Sequence, residues 1–142
     1  MADGSDGAVL AGVRKAVEGD GGSVFIVAPK VGGATLADGS MLAVDGQLAG
    51  SPSVLFDAVA VVLSDEGCAQ LLNEAAAVDF LRDAFGHLKA IGHTSEARPL
   101  LERAGIKPDE GVVDLSVAKA ADFLPPARTR QWAREPAVRT LA

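Results

Sequence analysis

Asp57 to Leu63 reads DAVAVVL and is the clearest strand signal in the chain. After its first residue the run contains only alanine, valine and leucine, without alternation between apolar and polar positions. A short continuous run of this kind is typical of a strand buried on both faces, as in a parallel sheet covered by helices. We therefore predict a central strand here, with a polar loop at Ser64 to Gly67 at its carboxyl end.

Further segments of strand type lie on either side of this run. Ser23 to Val27 (SVFIV) lies between glycines and Pro29, and it predicts a second buried parallel strand. Leu88 to Gly92 and Val112 to Val113 predict two shorter strands. Thr35 to Gln47 carries an Asp-Gly pair at positions 38–39, which predicts a β-hairpin inserted after SVFIV.

Amphipathic helices are predicted between the strands. The first follows Asp6, a suitable N-cap, and ends at Gly19. The others are predicted over 73–86, over 95–103 and over 117–124, where Pro125 and Pro126 end the last helix. Strands that alternate with helices imply right-handed crossovers. The predicted fold class is therefore α/β, with a three-layer, doubly wound parallel sheet and a small hairpin insertion.

The first central strand of such a sheet is not found in the sequence. A doubly wound domain begins with a strand, yet this chain opens on Ala2 to Gly7, which has the composition of a loop. With the usual strand order, SVFIV and DAVAVVL would flank an unfilled position with unpaired backbone groups. We hypothesise that the chain is a fragment lacking this strand. The alternatives are that the sheet closes without the strand or borrows one from a neighbour.

Composition limits the classes of partner and location. The chain has 142 residues, 49% of them apolar, which suits one core formed by residues 1–126. Its net charge of −6 disfavours nucleic acid and membrane surfaces as partners. The single cysteine, Cys68, cannot form an internal disulfide, and neither a secretory signal nor a membrane span is evident. These features predict a cytoplasmic protein.

The last sixteen residues, 127–142, form a locally basic tail. The tail combines one aromatic residue with four arginines: Trp132, Arg128, Arg130, Arg134 and Arg139. On an acidic protein this combination favours docking on another protein surface over binding of nucleic acid.

Four segments together resemble a known family. They are APKVGG (Ala28 to Gly33), the run from Ala37 to Gly67, DFLRDAFGHLKAIGHT (Asp79 to Thr94) and TRQWAREPAVRTLA (Thr129 to Ala142). They closely resemble the C-terminal domain of large-subunit monofunctional haem catalases, and the resemblance extends over essentially the whole chain. It implies a flavodoxin-like fold of the class I glutamine amidotransferase-like superfamily, which also includes PfpI-type proteases and glyoxalase-like proteins.

The resemblance implies that this chain lacks the chemistry of the active superfamily members. Those members carry a cysteine on a sharp turn between a strand and a helix, beside a glutamate from the first loop. The turn corresponds to Ala90 to Thr94 here, with Gly92 at the nucleophile position. The glutamate position falls around Ser5 to Gly7, where no glutamate occurs. We therefore expect no catalytic residues.

Two other reactive side chains have structural interpretations. His93 follows Gly92 in the predicted turn, where active relatives often carry a histidine, but without an adjacent thiol it is interpreted as a loop residue or a remnant of ancestry. Cys68 lies at the start of a helix after DAVAVVL, where either a modestly activated thiol or a buried, inert one is possible. The second alternative is favoured.

Cofactor and metal sites are also not expected in this chain. Asp3 and Asp6 put negative charge in the DGSDG loop, which suits helix capping and opposes a phosphate. The GDGG segment at 19–22 precedes a strand, so it does not match a dinucleotide motif. His87 and His93 are separated by a predicted strand and have no Cys/His cluster around them.

The sequence thus leaves three functional interpretations. The first, implied by the resemblance, is a non-catalytic structural or chaperone-like module of a peroxide-decomposing catalase. Its partners would be the catalase body and neighbouring subunits, or further copies of itself, and the haem would lie in the body. The chain contains no tyrosine, the usual proximal ligand of catalases. The second is a stand-alone thiol enzyme acting through Cys68, and the third is a flavin or nucleotide binder.

Overall fold

The computed structural model describes residues 1–139 and consists of short strands and helices in alternation. The helices are α1 (Gly7–Gly19), α2 (Asp65–Leu71), α3 (Ala75–Gly86), α4 (Arg98–Arg103), α5 (Leu124–Ala127) and α6 (Glu135–Val138). The strands are β1 (Val27–Ala28), β2 (Ala34–Thr35), β3 (Met41–Leu42), β4 (Gly46–Gln47), β5 (Ala58–Val61), β6 (Ala90–His93) and β7 (Val112–Asp114). Residues 140–142, the end of the predicted basic tail, lie outside the described part.

Parallel pairing dominates the sheets. β5, β6 and β7 form a three-stranded parallel sheet in that order, in which Ala58 lies opposite Ala90 and Ile91 lies opposite Val112. β1 pairs in parallel with β4. β2 and β3 pair antiparallel across a turn that contains Gly39, whose φ of 86° favours glycine. The α/β class with a parallel sheet is therefore confirmed. The hairpin predicted over Thr35 to Gln47 is shorter than expected, because it ends with β3 and the following β4 pairs in parallel with β1.

The two faces of β5 contribute to different apolar clusters. Val59, Val61 and Leu63 pack in a cluster with residues of α2, α3 and α4. Ala58 and Ala60 pack against a second cluster, which contains Val13 of α1 and Phe123. Helices thus cover both faces of the strand, which explains why DAVAVVL shows no polar alternation.

The strand predicted over Ser23 to Val27 is much shorter in the structure. Regular pairing begins only at Val27 and ends at Ala28, and half of the surface of Phe25 is exposed. The run is apolar, but among residues 1–139 the strand β1 pairs with β4 alone. The N–H and C=O groups on its other edge are therefore not used in a ladder.

Two boundaries predicted from the sequence are wrong. The loop predicted over Ser64 to Gly67 is the first turn of α2, because the Ser64 hydroxyl caps the helix by accepting a hydrogen bond from Gly67 N at 3.0 Å. Pro125 and Pro126 do not end the last helix of the domain. They occupy the first turn of α5, where proline costs no helical hydrogen bond.

The sheet is interrupted between β1 and β5. A cavity of about 800 Å³ lies there, which we call the β1–β5 slot. The residues that line it include 22–29 and 55–63. Across the described residues, no helix combines the length and apolar character required to cross a membrane.

Candidate functional site

The carboxyl ends of β5, β6 and β7 meet at one edge of the sheet, which we call the carboxyl edge. In open α/β sheets, ligands and catalytic groups collect at this edge, because the loops after parallel strands converge there. Here the edge carries Ser64, Thr94, Ser95 and Asp114, together with His93 at the end of β6. These residues form the candidate site.

Gly92 lies inside β6 and not on a sharp turn. It pairs with Ala60 on one side and Val113 on the other, and its φ is outside the left-handed region. A Cβ at this position would lie 3.0 Å from Leu115 Cδ1 and 3.3 Å from Phe123 Cε1. The turn predicted over Ala90 to Thr94 is therefore wrong. The strand runs to His93, and apolar side chains cover the position where a nucleophile would lie.

His93 and Thr94 are both buried and bonded within the chain. His93 Nδ1 lies 2.9 Å from the carbonyl oxygen of Thr94. The Thr94 hydroxyl donates to the Leu63 carbonyl and accepts from the Leu63 amide, at 3.1 Å in each case, and so extends the pairing of β5 with β6 by one residue. The histidine is 6% exposed. Its role in this structure is packing at the strand end.

Asp114 is the charged centre of the carboxyl edge. Its carboxylate accepts hydrogen bonds from Arg98 Nη2 at 2.7 Å, from Ser95 Oγ at 3.0 Å and from Ser116 N at 2.9 Å. Desolvation by itself would raise the pKa of Asp114, but these hydrogen bonds outweigh it and lower the pKa. The group is therefore an ionised anchor that joins β7 to α4, and it is poorly suited to donate a proton.

Cys68 is buried in the cluster formed by α2, α3 and α4. It is 2% exposed, and desolvation raises the pKa of its thiol. A reactive cysteine requires a lowered pKa and access to solvent. The structure gives Cys68 neither property, in agreement with the favoured interpretation as an inert core residue.

The DGSDG loop is held by hydrogen bonds within the chain. Asp6 caps α1 by accepting from Ala8 N at 2.8 Å, as predicted, whereas Asp3 accepts from Thr35 N at 2.9 Å and so fixes the hairpin. Ser5 is fully buried, and its hydroxyl donates to the Val62 carbonyl at 2.6 Å. The position expected for a superfamily glutamate therefore holds a structural serine.

The other candidate segments also have structural roles. GDGG (19–22) is the C-terminal turn of α1, where Asp20 pairs with Arg128. His87 follows α3 and is exposed. Among the residues that the structure describes, no three His, Cys, Asp or Glu side chains are grouped as a metal site would require.

Lys89 was missed in the sequence reasoning. It is 7% exposed, and its ammonium donates to the carbonyls of Val54, at 2.9 Å, and of Phe56. Burial lowers the pKa of this amine. A lysine within the apolar segment Leu88 to Gly92 was a signal that could have revealed it, because a buried amine requires several acceptors. These hydrogen bonds hold the turn before β5 against the start of β6.

The basic tail docks on its own domain. Arg134 is 4% exposed and donates to the carbonyls of Phe85 and Lys89 and to the carboxylate of Asp109. The backbone N–H of Gln131 donates to the Leu88 carbonyl at 2.6 Å. The tail was predicted to dock on another protein surface, but Arg134 is buried within this chain. Trp132, by contrast, is 68% exposed.

Comparison with known proteins shows the family directly. The family model for the C-terminal domain found in long catalases matches residues 1–125. The chain is similar to "Catalase C" of Rhizobium meliloti (strain 1021), with 47% identity over 141 residues, or 96% of this chain and 20% of that protein. It is also similar to "Catalase HPII" of Pseudomonas putida, with 30% identity over 96% of this chain and 19% of that protein. The chain thus spans about one fifth of the length of these relatives.

Solved structures show the same fold at low sequence identity. The ThiJ/PfpI domain protein from Brachyspira murdochii has a TM-score of 0.69 at 14% identity and covers 99% of this chain and 92% of its own. Drosophila melanogaster DJ-1beta has a TM-score of 0.67 at 19% identity and covers 75% of this chain and 57% of its own. These structures establish the DJ-1/PfpI-like α/β fold. The extended similarity to catalases identifies the chain as a member of the family of C-terminal domains found in long catalases.

Proposed function

We propose that this chain is a non-catalytic structural module that docks on a catalase body and stabilises it. The observation that carries the proposal is the filled nucleophile position, where Leu115 and Phe123 lie against the backbone of Gly92. The other reactive groups of the carboxyl edge, His93 and Asp114, are engaged in bonds within the chain. Because these polar groups stabilise the fold of the module, they are not free for catalysis. The module is therefore suited to adding contact surface to a catalase body.

In the proposed assembly of this module with a catalase body, the body binds the haem and carries out its chemistry. The residues of this chain do not fit a haem site, because His93 is buried with its ring bonded to the neighbouring backbone, and His87 lies exposed after α3. The sequence contains no tyrosine to act as an axial ligand. Decomposition of hydrogen peroxide is therefore proposed for the complete catalase and not for this module. We also propose a cytoplasmic location for the assembly.

The finer architecture proposed for the module is a flavodoxin-like, doubly wound sheet. Its support is the pair of apolar clusters on opposite faces of β5, which gives three layers. The β1–β5 slot takes the position of the first central strand in this arrangement.

The proposal is tested with the catalase body of the Rhizobium meliloti relative. The body without its C-terminal fifth is compared with the same body fused to this chain, in both cases loaded with haem. We expect turnover of hydrogen peroxide to differ by less than about twofold, and the half-life of activity during heating to increase several-fold with the module. Peroxide decomposition by the isolated chain would contradict a non-catalytic module, and an unchanged half-life after fusion would contradict a stabilising role.

A further inference from the structure

The hairpin formed by β2 and β3 exposes a methionine to solvent. Met41 of β3 is 68% exposed. Successive side chains of a strand point to opposite faces of the sheet. Ala34 and Leu42 lie on the inner face of the hairpin, where they are buried or half-buried. Thr35 and Met41 lie on the outer face. Packing in the core therefore does not account for a methionine at this position.

Thr35 lies directly opposite Met41, and its hydroxyl contacts the thioether. The two residues are partners across the hairpin. Thr35 Oγ1 donates a hydrogen bond to Met41 Sδ at 3.3 Å. A thioether sulfur has two lone pairs and is a weak acceptor, so the hydroxyl occupies one lone pair. The other lone pair is left for a reagent that arrives from solvent.

The hydroxyl is held in place because the backbone of Thr35 is bonded through both of its polar groups. The Thr35 N–H donates to Asp3 Oδ1 at 2.9 Å. The Thr35 carbonyl accepts from Gly4 N at 2.7 Å. The DGSDG loop thus anchors β2, and the exposure of Met41 belongs to a hairpin that is fixed to the rest of the domain.

The sulfur-bearing side chains of the protein differ in their access to solvent. The sequence contains two methionines and one cysteine. Cys68 is 2% exposed, and Met1 is half-buried beside the β1–β5 slot. Met41 is the exposed member of the set, and a thioether acts as a nucleophile without losing a proton. A small, neutral oxidant from solvent should therefore react first at Met41.

We propose that Met41 is a site of oxidation by hydrogen peroxide, and that Thr35 directs the added oxygen to one face of the sulfur. The free lone pair of Met41 Sδ attacks one peroxide oxygen, so that an S–O bond forms and the O–O bond breaks. The departing hydroxide takes the proton from the transferred oxygen and leaves as water. The thioether is oxidised by two electrons to a sulfoxide, and the peroxide is reduced. The presence of peroxide near the module rests on the proposed function, but the reaction itself does not.

The occupied lone pair has a measurable consequence, because a sulfoxide is chiral at sulfur. Attack through one lone pair gives one epimer, and attack through the other gives its opposite. With the Thr35 hydroxyl on one lone pair, the folded chain should form mainly one epimer of Met41 sulfoxide. Methionine sulfoxide reductases A and B each reduce one epimer. The modification would therefore be reversed mainly by one of these two enzymes.

The test treats the full 142-residue chain with dilute hydrogen peroxide, with N-acetylmethionine amide in the same solution as the reference. Tandem mass spectrometry of tryptic fragments assigns each added oxygen to its residue. We expect Met41 to oxidise within about threefold of the reference rate, because susceptibility follows exposure. After digestion, reductase A or B is added, and the fraction of Met41 sulfoxide that each enzyme reduces gives the ratio of epimers.

Two variants at position 35 test the role of the hydroxyl. Thr35→Val keeps the branched shape without the hydroxyl, whereas Thr35→Ser keeps the hydroxyl. The wild type and Thr35→Ser should each give one epimer in about threefold excess, in keeping with the modest strength of a cross-strand contact. Thr35→Val should give nearly equal amounts of the two epimers, as should the wild type oxidised in urea.

Each part of the proposal can be overturned. Oxidation of Met41 that falls further below the reference rate than this limit would rule out the site. Equal epimers in the folded wild type, or the same excess in Thr35→Val, would rule out direction by Thr35. Because the peroxide is added and no catalase body is present, failure of this proposal can be distinguished from failure of the proposed function.

Discussion

The guanidinium of Arg134 forms two parallel hydrogen bonds with the carboxylate of Asp109, Nε to Oδ2 at 2.7 Å and Nη2 to Oδ1 at 3.1 Å. The arginine side chain is 1% exposed and the aspartate side chain 33%. The guanidinium also lies 4.1 Å from the centre of the Phe85 ring. This paired geometry makes the salt bridge directional as well as electrostatic. It connects the basic tail to the loop before β7.

Replacing Arg134 with alanine is expected to destabilise the fold strongly. The change leaves the carbonyls of Phe85 and Lys89 without their donor and removes the charge partner of Asp109. Loss of one partner of a buried pair costs on the order of 3 kcal/mol. The free energy of unfolding in urea measures the effect. Arg139→Ala is the matched control, because the Arg139–Glu135 pair is exposed and should contribute less than about 0.5 kcal/mol.

The same salt bridge predicts a dependence of stability on acid. Desolvation would raise the pKa of Asp109, but the hydrogen bonds from Arg134 and Gly111 N outweigh it, and the folded-state pKa is lowered. The unfolded chain then binds the proton more tightly, so this stability is present above about pH 4 and is lost as the pH falls through the folded-state pKa.

Asp109→Asn should therefore lower the free energy of unfolding at pH 7 by more than at pH 3. Urea titrations at both pH values measure the difference. Asp79→Asn, on the exposed surface of α3, is the control. Its effect on the free energy of unfolding should be the same at both pH values. Equal losses at the two pH values would mean that Asp109 contributes no pH-dependent stability.

The N-terminal amine predicts a second pH dependence, in the neutral range. Burial lowers the pKa of the Met1 ammonium from 8.0 to about 6. The folded state binds this proton less tightly than the unfolded chain, so stability should increase as the pH rises from about 6 to 8. Two pKa units correspond to about 3 kcal/mol.

Acetylation of Met1 removes the titrating group but keeps an N–H donor for the Val27 carbonyl. The acetylated protein should therefore lack this increase, whereas the free amine should show it. Unfolding in urea at pH 6 and pH 8 compares the two forms, with retention of Met1 verified by mass spectrometry. The same slope in both forms would assign the pH dependence to other groups.

Cysteine at position 92 is not expected to create a reactive thiol. Its Cβ would contact Leu115 and Phe123 at 3.0–3.3 Å, so the side chain must displace core atoms. We expect Gly92→Cys to destabilise the fold by about 1–3 kcal/mol and to react slowly with iodoacetamide. Gly92→Ala is the control for the added Cβ, and both variants are prepared with Cys68→Ala. Rapid labelling of position 92 in the folded protein would contradict the buried environment.

Native Cys68 should likewise react only when the fold opens. Its burial and raised pKa both oppose attack by the thiolate. The iodoacetamide rate at neutral pH should be at least about 100-fold lower than for the urea-unfolded chain, a factor that corresponds to about 2.7 kcal/mol. A native rate close to that of the unfolded chain would revive a thiol-dependent function.

The sequence predicted those elements whose signals are local. DAVAVVL, the Asp6 cap and the Asp-Gly turn each depend on a few neighbouring residues, and the structure contains a strand, a capped helix and a hairpin at those places. The two wrong boundaries, at Ser64 to Gly67 and at Pro125 and Pro126, arose because these residue types occur in two kinds of structure. Serine and acidic residues suit a loop as well as a helix start, and proline suits a helix start as well as a helix end.

The long-range ionic contacts could not be predicted in the same way. Asp114 and Arg98 meet across 16 residues, and Arg134 and Asp109 across 25. Charged residues in loops and tails have the same local signature whether they face solvent or a buried partner. Tertiary packing alone decides which arginine of the tail is buried, so Arg134 could not be distinguished from Arg130 by sequence.

The internal docking of the tail also has a mechanical consequence. Arg134 joins the end of the chain to carbonyls at the end of α3 and the start of β6. A force applied at the C-terminus would therefore be transmitted through a side chain directly into the centre of the domain, bypassing the intervening loops. Arg134 would act as the anchor, and its hydrogen bonds would have to break before the domain could be extended from that end.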